Sequence, residues 1–231
     1  MSQPPDTQID FATVLASSVH DMKNSLGLLL NSIDNLCAAQ PPSTPEEYAR
    51  YSLLNYEASR VNSNLIQLLS IYRLQQNQLP LSISEQYVSD LLEEQLALND
   101  PLLQARRITP ELECDPELVG YFDQSLVAGT LNNVILNSTR YTRDRLKISA
   151  YQQGEYLVIE VADNGSGYPQ EMCQQGGTQP GPVDFSSGST QLGLYFCREI
   201  ARLHQQDGRF GYIDLSNGGS LGGGIFRLYL P

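Results

Sequence analysis

The chain has 231 residues, 41% of them hydrophobic and 17% charged, with 13 Tyr and no Trp, enough apolar material for one large core or two small ones and too much for a disordered segment. Its 26 acids against 14 Lys and Arg give a formal charge of -12. That balance argues against nonspecific binding to nucleic acid or to an anionic membrane, since a phosphate surface attracts a basic face, and leaves protein partners and small ligands.

No run approaches the roughly 18 apolar residues of a membrane span; the longest leucine-rich stretch, Leu26 to Leu30, is bounded by Ser25 and Asn31. The first ten residues, MSQPPDTQID, have neither a basic start nor an apolar signal core. The four cysteines, Cys37, Cys114, Cys173 and Cys197, show no CxxC spacing. These features predict a cytoplasmic protein with reduced thiols, no cysteine-bound metal and no direct membrane insertion.

Phe11, Leu15, Ser18, Met22, Leu26, Leu29, Ile33 and Leu36 recur at spacings of three and four, one stripe of a long helix with a single polar break. Ala38 to Pro45 ends it, and Thr44 before Pro45 and two glutamates reads as the cap of a second helix. Its seam is Leu54, Ala58, Val61, Leu65, Leu68 and Tyr72, the alternation of a left-handed bundle. Two such helices make a hairpin that cannot bury both stripes alone, which predicts a homodimer with a four-helix bundle. The alternative is that the hairpin packs on its own C-terminal domain.

After Gln78 the pattern changes, placing a domain boundary near residues 75–80: a hairpin over 1–77 and a second domain over 78–231. Leu79 to Ser84 reads as a strand. Glu85 to about Arg107 reads as a helix that Pro101 kinks or splits, and ITPELECD as a short strand region. Asp115 with Pro116 reads as the start of a helix running through Leu118, Phe122, Leu126, Leu131, Val134 and Ile135 to about Thr139. RLKISAYQQGEYLVIEVADNG reads as two strands turning near Gln153-Gly154. Residues 168–190, rich in Gly, Pro, Ser and Gln, read as a mobile loop. Leu192 to His204 is helical again, and GRFGYIDLS and GIFRLYLP close the chain as strands. The expected class is α+β, a helical hairpin followed by an α/β sandwich of mixed sheet with helices on one face.

Chemistry concentrates at a few places. His20 lies two residues from Ser18, about 200° around a helix, so it is expected to face solvent away from the seam; Asp21 is its neighbour and Asn24 lies one turn on. An imidazole oriented by a carboxylate is a competent nucleophile. Asn133 and Asn137 share one face of an apolar helix and need partners. Arg140, Arg143, Arg145 and Lys147 follow, a basic cluster suited to polyphosphate. Asp163-Asn164-Gly165-Ser166-Gly167 ends a strand in a turn that lets a ligand approach backbone, and QLGLYF and GGSLGGG come later. His204, the other histidine, reads as a structural residue near a helix end.

In that order these segments resemble the sensor histidine kinases of two-component signalling, over nearly the whole chain. His20-Asp21-Met22-Lys23-Asn24-Ser25-Leu26 resembles the H box; the resemblance implies that His20 accepts the phosphoryl group, Asp21 acts as base, and Asn24 helps dephosphorylate a regulator. Asn133 to Thr142 resembles the N box, implying magnesium on Asn137 and phosphate contacts near Asn133, Arg140 and Tyr141. Asp163, Gly165 and Gly167 resemble the first glycine box, whose aspartate receives the adenine amino group. Thr190, Gly193 and Leu194 resemble the second glycine box at the end of an ATP lid, with Phe185 in the place of the lid's phenylalanine. GGSLGGGIF resembles the last box. Ser25 replaces the usual H-box proline, Ser189 and Gln191 replace two glycines, and Gly224 stands where a threonine is usual.

The resemblance implies a GHKL-type ATP-binding fold, ATP and Mg2+, a homodimer through the hairpin, a response-regulator receiver domain as partner, and no room for an ordinary sensor module before the first helix. The expected function is autophosphorylation of His20 from Mg-ATP and transfer to an aspartate of the regulator. The alternative is a dimeric histidine phosphotransfer or docking protein whose kinase-like domain no longer binds ATP effectively.

Overall fold

The computed structural model describes residues 11–76, 78–174 and 189–231. It opens with helices α1 (Phe11–Ala39) and α2 (Pro45–Gln75). The predicted start of α2 is present in full: the Thr44 hydroxyl accepts the Glu47 N–H, the Glu47 carboxylate accepts the Thr44 N–H, and Pro45 fills the first helical position. Across the hairpin the Tyr51 hydroxyl donates to Asp34 Oδ1 at 2.8 Å, and Asn55 Nδ2 donates to the same oxygen at 3.4 Å.

The two apolar stripes are only partly covered. Ile33 and Ala58 are buried, whereas Met22, Leu29, Leu36, Leu54 and Val61 are 42–68% exposed. The opposite side of α2 buries Tyr56, Gln67 and Ile71 against the rest of the chain, and Ile71 belongs to the main hydrophobic core. Packing of the hairpin on its own sandwich, the alternative drawn from the sequence, therefore occupies one face of α2 while an apolar stripe on another face stays open.

The remaining elements are β1 (Ser84–Tyr87), α3 (Val88–Ala105), β2 (Thr109–Cys114), β3 (Val119–Phe122), α4 (Gln124–Tyr141), β4 (Arg145–Gln153), β5 (Tyr156–Asp163), α5 (Gln170–Gln174), α6 (Ser189–Leu203), β6 (Gln205–Gln206), β7 (Arg209–Phe210), β8 (Tyr212–Asn217) and β9 (Gly224–Leu230). A five-stranded sheet has the order β2-β4-β5-β9-β8, with β2 parallel to β4 and every other pair antiparallel. Alternation along the strands sorts its faces. Leu146 and Ile148, Leu157, Ile159 and Val161, and Phe226 and Leu228 point toward α3, α4 and α6 and form the core. The other face carries Arg227, bonded to Glu160 at 2.7 Å and Asp214 at 3.2 Å, and the stacked pair Tyr212 and Tyr229. This is the expected mixed sheet with helices on one face.

Several expected boundaries move. The helix predicted from Asp115 does not begin there: residues 115–117 make a turn closed by Leu118 N–H on the Asp115 carbonyl, β3 follows, and α4 starts at Gln124. Val119 to Phe122 is β-prone, Gly120 weakens a helix interior, and β3 finds a partner in β1. The effective cap is Asp123, whose carboxylate accepts Leu126 N–H and Ser82 N–H, at 3.0 and 2.9 Å. The strand placed at Leu79 to Ser84 lies at β1 instead, α3 starts at Val88 rather than Glu85, and α3 runs through Pro101 without a break. Of the segment 168–190 expected to be loop, Gln170–Gln174 and the start of α6 are helical; residues 175–188, including Phe185, lie outside the described residues.

His204 is structural, as expected, but sits deep. It is 1% exposed, its Nδ1–H donates to the Ile200 carbonyl at 2.8 Å, and its Nε2 accepts the Asp123 N–H at 3.0 Å. Burial holds its pKa below the ordinary imidazole value. The neutral ring is the one that fits, so the unfolded chain binds the extra proton more readily. Stability should be full above the ordinary value of about 6.5 and fall as pH drops from there toward the depressed folded value. Melting temperatures from pH 7.5 to 5 are expected to drop more in the native chain than in His204→Gln.

Candidate functional site

The parity of β5 that buries Leu157, Ile159 and Val161 also places Asp163, at its C-terminal end, on the helix side of the sheet. Its Oδ1 accepts Gly165 N–H at 2.7 Å and Gly224 N–H at 3.3 Å, while its carbonyl accepts Gly223 N–H. Among the described residues both side-chain bonds fall on one oxygen, which leaves Oδ2 for a donor on a ligand. A cavity of about 350 Å³ opens there, lined by Asp163 and Gly224 with Asn137, Ser138 and Tyr141 of α4 and Ser166 to Pro169 and Met172. That size and the mixed lining suit a small ring system with polar edges.

Close backbone approach builds this cavity. A Cβ on Gly165 would lie 2.0 Å from the Tyr141 carbonyl oxygen, so the turn after β5 can abut the end of α4 only as glycine. A Cβ on Gly224 would meet the Tyr168 ring at 3.0 Å and Asp163 Oδ2 at 3.1 Å. Glycine at 224 therefore supports Asp163 through its N–H and leaves room for Tyr168, the work expected of a threonine side chain. Asn217 braces Tyr168 by accepting its N–H and donating to its carbonyl, at 2.7 and 2.8 Å. Burial, and then the negative charge of Asp163, raise the Tyr168 phenol pKa, so the ring stays neutral. Asn164 Oδ1 accepts the N–H groups of Arg143, Asp144 and Arg145 and ties the loop after α4 to the turn.

Beside the cavity, Asn133 and Asn137 project from one face of α4. Asn133 is 6% exposed; its Oδ1 accepts Gln67 Nε2 at 2.8 Å and Asn137 Nδ2 at 3.4 Å, and its Nδ2 donates to Cys197 Sγ. Gly193 packs so closely that a Cβ there would lie 2.6 Å from Asn133 Oδ1, and Leu194 packs against the core. The buried Cys197 thiol has its pKa pushed up to about 12 by burial, so it stays protonated and unreactive.

The predicted basic cluster divides. Arg140 lies in the last turn of α4 with its guanidinium 5.7 Å from the ring centroid of Tyr141, which lines the cavity. Arg145 and Lys147 instead pair with Glu111 and Glu113 on the outer face of the sheet and do not reach the site. The cause is the parallel pairing of β2 with β4, which no local pattern announces. Asp21 and Asn24 lie exposed on α1. The side chains of His20, Thr190 and Gln191 lie outside the described residues. Asn217, Tyr168 and Gln67 were not anticipated. The Tyr-Pro pair directly after the glycine turn was the available signal for Tyr168; Asn217 acts 49 positions away and gave none.

The lining of the cavity fits a purine ring. A carboxylate oxygen and a neutral aromatic ring suit an amino-purine. No cluster of three or more His, Cys, Asp or Glu among the described residues could hold a metal, so a magnesium ion at Asn137 would have to draw further ligands from phosphate and water, the usual habit of that ion.

Residues 122–231 match the model of the histidine kinase-, DNA gyrase B- and HSP90-like ATPases. The chain is 28% identical over 195 residues to the alginate biosynthesis sensor protein KinB of Pseudomonas aeruginosa, covering 82% of this chain and 31% of that protein. It is 23% identical to sensor protein PhoQ of Escherichia coli K12, covering 84% and 39%. The chain thus spans about a third of the curated relatives it matches. Its fold is similar to that of full-length ShkA in complex with AMPPNP, with TM-score 0.65, 19% identity and coverage of 95% of this chain and 46% of that one. It is also similar to the histidine kinase AdeS of Acinetobacter baumannii, with TM-score 0.58, 18% identity and coverage of 91% and 96%. No helix among the described residues is long and apolar enough to cross a membrane.

Proposed function

We propose, from the premise that the chain belongs with the sensor histidine kinases and carries their ATPase domain at residues 122–231, that it phosphorylates His20 from Mg-ATP and passes the group to an aspartate of a response regulator. The observation that carries this reading is the Asp163 carboxylate, fixed through one oxygen by two backbone N–H groups at the wall of a purine-sized cavity beside Asn137. In it, Asp163 takes the amino group of adenine, Gly165 and Gly167 let the backbone approach the ring, and Asn133, Asn137, Arg140, Tyr141, Thr190, Gly193 and Leu194 surround the phosphates. Magnesium at Asn137 would neutralise phosphate charge.

An imidazole nitrogen of His20 then forms a bond to the γ-phosphorus as the bond to the ADP oxygen breaks, and Asp21 takes the proton that the ring gives up. Asn24, a turn further along α1, would orient water against a phosphorylated regulator. The hairpin over 1–77 pairs two copies through the open stripe of Met22, Leu29, Leu36, Leu54 and Val61, and residues 78–231 act as the ATP-binding unit. With γ-labelled ATP the native chain should acquire label and His20→Ala none. Equal labelling of both would overturn the assignment.

A further inference from the structure

We infer that Gln67 is a positioning residue that couples the hairpin to the nucleotide site by holding Asn133, and that nucleotide phosphates engage Asn133 only after Gln67 releases it. This rests on the nucleotide reading above.

Gln67 is 4% exposed, and its bond to Asn133 is a buried side-chain contact between α2 and α4. Asn133 has no slack in this arrangement. Its oxygen serves both Gln67 and Asn137, its nitrogen is directed at Cys197, and the Gly193 backbone closes the remaining side. A metal-bound water approaching Asn133 Oδ1 must displace the Gln67 amide, and a phosphate, which only accepts, needs the Asn133 amide turned to present Nδ2, which breaks the same bond. Gln67 gains little from its second polar atom, because Oε1 is buried without a partner among the described residues, so the contact is poised rather than deeply stable. Ile71, one turn on, anchors the same face of α2 in the core, so letting go of Asn133 and loosening this end of α2 belong to one motion.

Position along the hairpin gives the contact its meaning. The bonds from Tyr51 and Asn55 to Asp34 fix the antiparallel register; counting along both helices from there at equal rise places Gln67 at about the level of His20. The same segment of the hairpin thus carries the phosphoacceptor on one helix and the hold on Asn133 on the other. A chain latched by Gln67 is a poor nucleotide binder, and its apparent dissociation constant is the intrinsic one divided by the fraction of time it spends unlatched.

The test uses the full chain and two variants that cannot make the bond, Gln67→Met, which keeps the length, and Gln67→Asn, which is too short. Calorimetry with Mg-ATP should show about threefold to tenfold tighter binding by both. Hydrogen exchange of residues 63–71 should speed up in the unliganded variants, and also in the native chain on adding Mg-ATP. A merely structural glutamine would give weaker or unchanged binding. Unchanged affinity with Mg-ATP binding intact overturns the latch alone; absence of Mg-ATP binding by native chain and variants alike overturns the nucleotide reading and the latch with it.

Discussion

Asp163→Asn is expected to weaken Mg-ATP binding about 100-fold and to leave the melting temperature nearly unchanged. The asparagine Oδ1 can still accept the Gly165 and Gly224 N–H groups that hold the native carboxylate, so the turn after β5 keeps its shape. The second oxygen becomes an NH2. An adenine amino group that met a charged acceptor now meets a donor, in a position that is 6% exposed and gives neither group to water. A hydrogen bond to a charged group contributes about 1.5–3 kcal/mol and an unmatched buried donor costs about the same range; a loss near 3 kcal/mol corresponds to roughly 100-fold. The variant should also change its preference. A 6-oxo purine offers an acceptor to the new NH2, so inosine triphosphate should bind Asp163→Asn at least as tightly as ATP does, the reverse of the native order. Calorimetry with both nucleotides decides; an unaltered ATP constant would remove Asp163 from the base pocket.

The elements that sequence reasoning located are those whose causes are local. The stripes of α1 and α2, the Thr44 cap and the alternation in β4, β5 and β9 can all be read within a dozen residues. The alternation alone tells which face of the sheet Asp163 occupies. The elements it misplaced have distant causes. β3 exists because β1 lies 36 positions away across the Tyr121–Glu85 contact, and its absence from the local pattern allowed Pro116 to be taken for a helix start. Arg145 and Lys147 belong to the surface because Glu111 and Glu113 arrive on a parallel neighbour. Gln67, on the side of α2 opposite the seam, differs from any solvated glutamine only by the presence of Asn133, 66 residues later.

The same division explains the glycines. The motif order made Gly165, Gly167 and Gly193 conspicuous, but spacing alone could not separate a glycine needed for its positive φ from one needed for its missing side chain. Gly167 is of the first kind as well as the second, with φ of +77° and Asn217 Oδ1 within 2.6 Å of a would-be Cβ. Gly165 and Gly193 are of the second kind only, since each faces an atom of another segment: the Tyr141 carbonyl and the Asn133 amide.

That distinction gives two alanine substitutions of opposite sign. Gly165→Ala forces a methyl to 2.0 Å from the Tyr141 carbonyl oxygen, a backbone atom at the end of α4 that cannot swing aside as a flexible side chain would. The turn and the helix must separate. Overpacking of this kind costs about 1–3 kcal/mol, and the shift also breaks the Gly165 N–H bond to Asp163 Oδ1. The melting temperature should fall by roughly 5–10 °C for a chain of this size, and Mg-ATP binding should be lost with it. Gly129→Ala, on helix α4 itself, meets only the Phe196 ring edge, at 3.9 Å, among the described residues. It relieves the penalty of glycine in a helix interior, up to about 1 kcal/mol, and should raise the melting temperature by a few degrees with ATP affinity intact. Calorimetric scans of both variants, with and without Mg-ATP, check the pair. A Gly165→Ala chain that melts and binds like the native one would show that the turn after β5 does not rest on the end of α4.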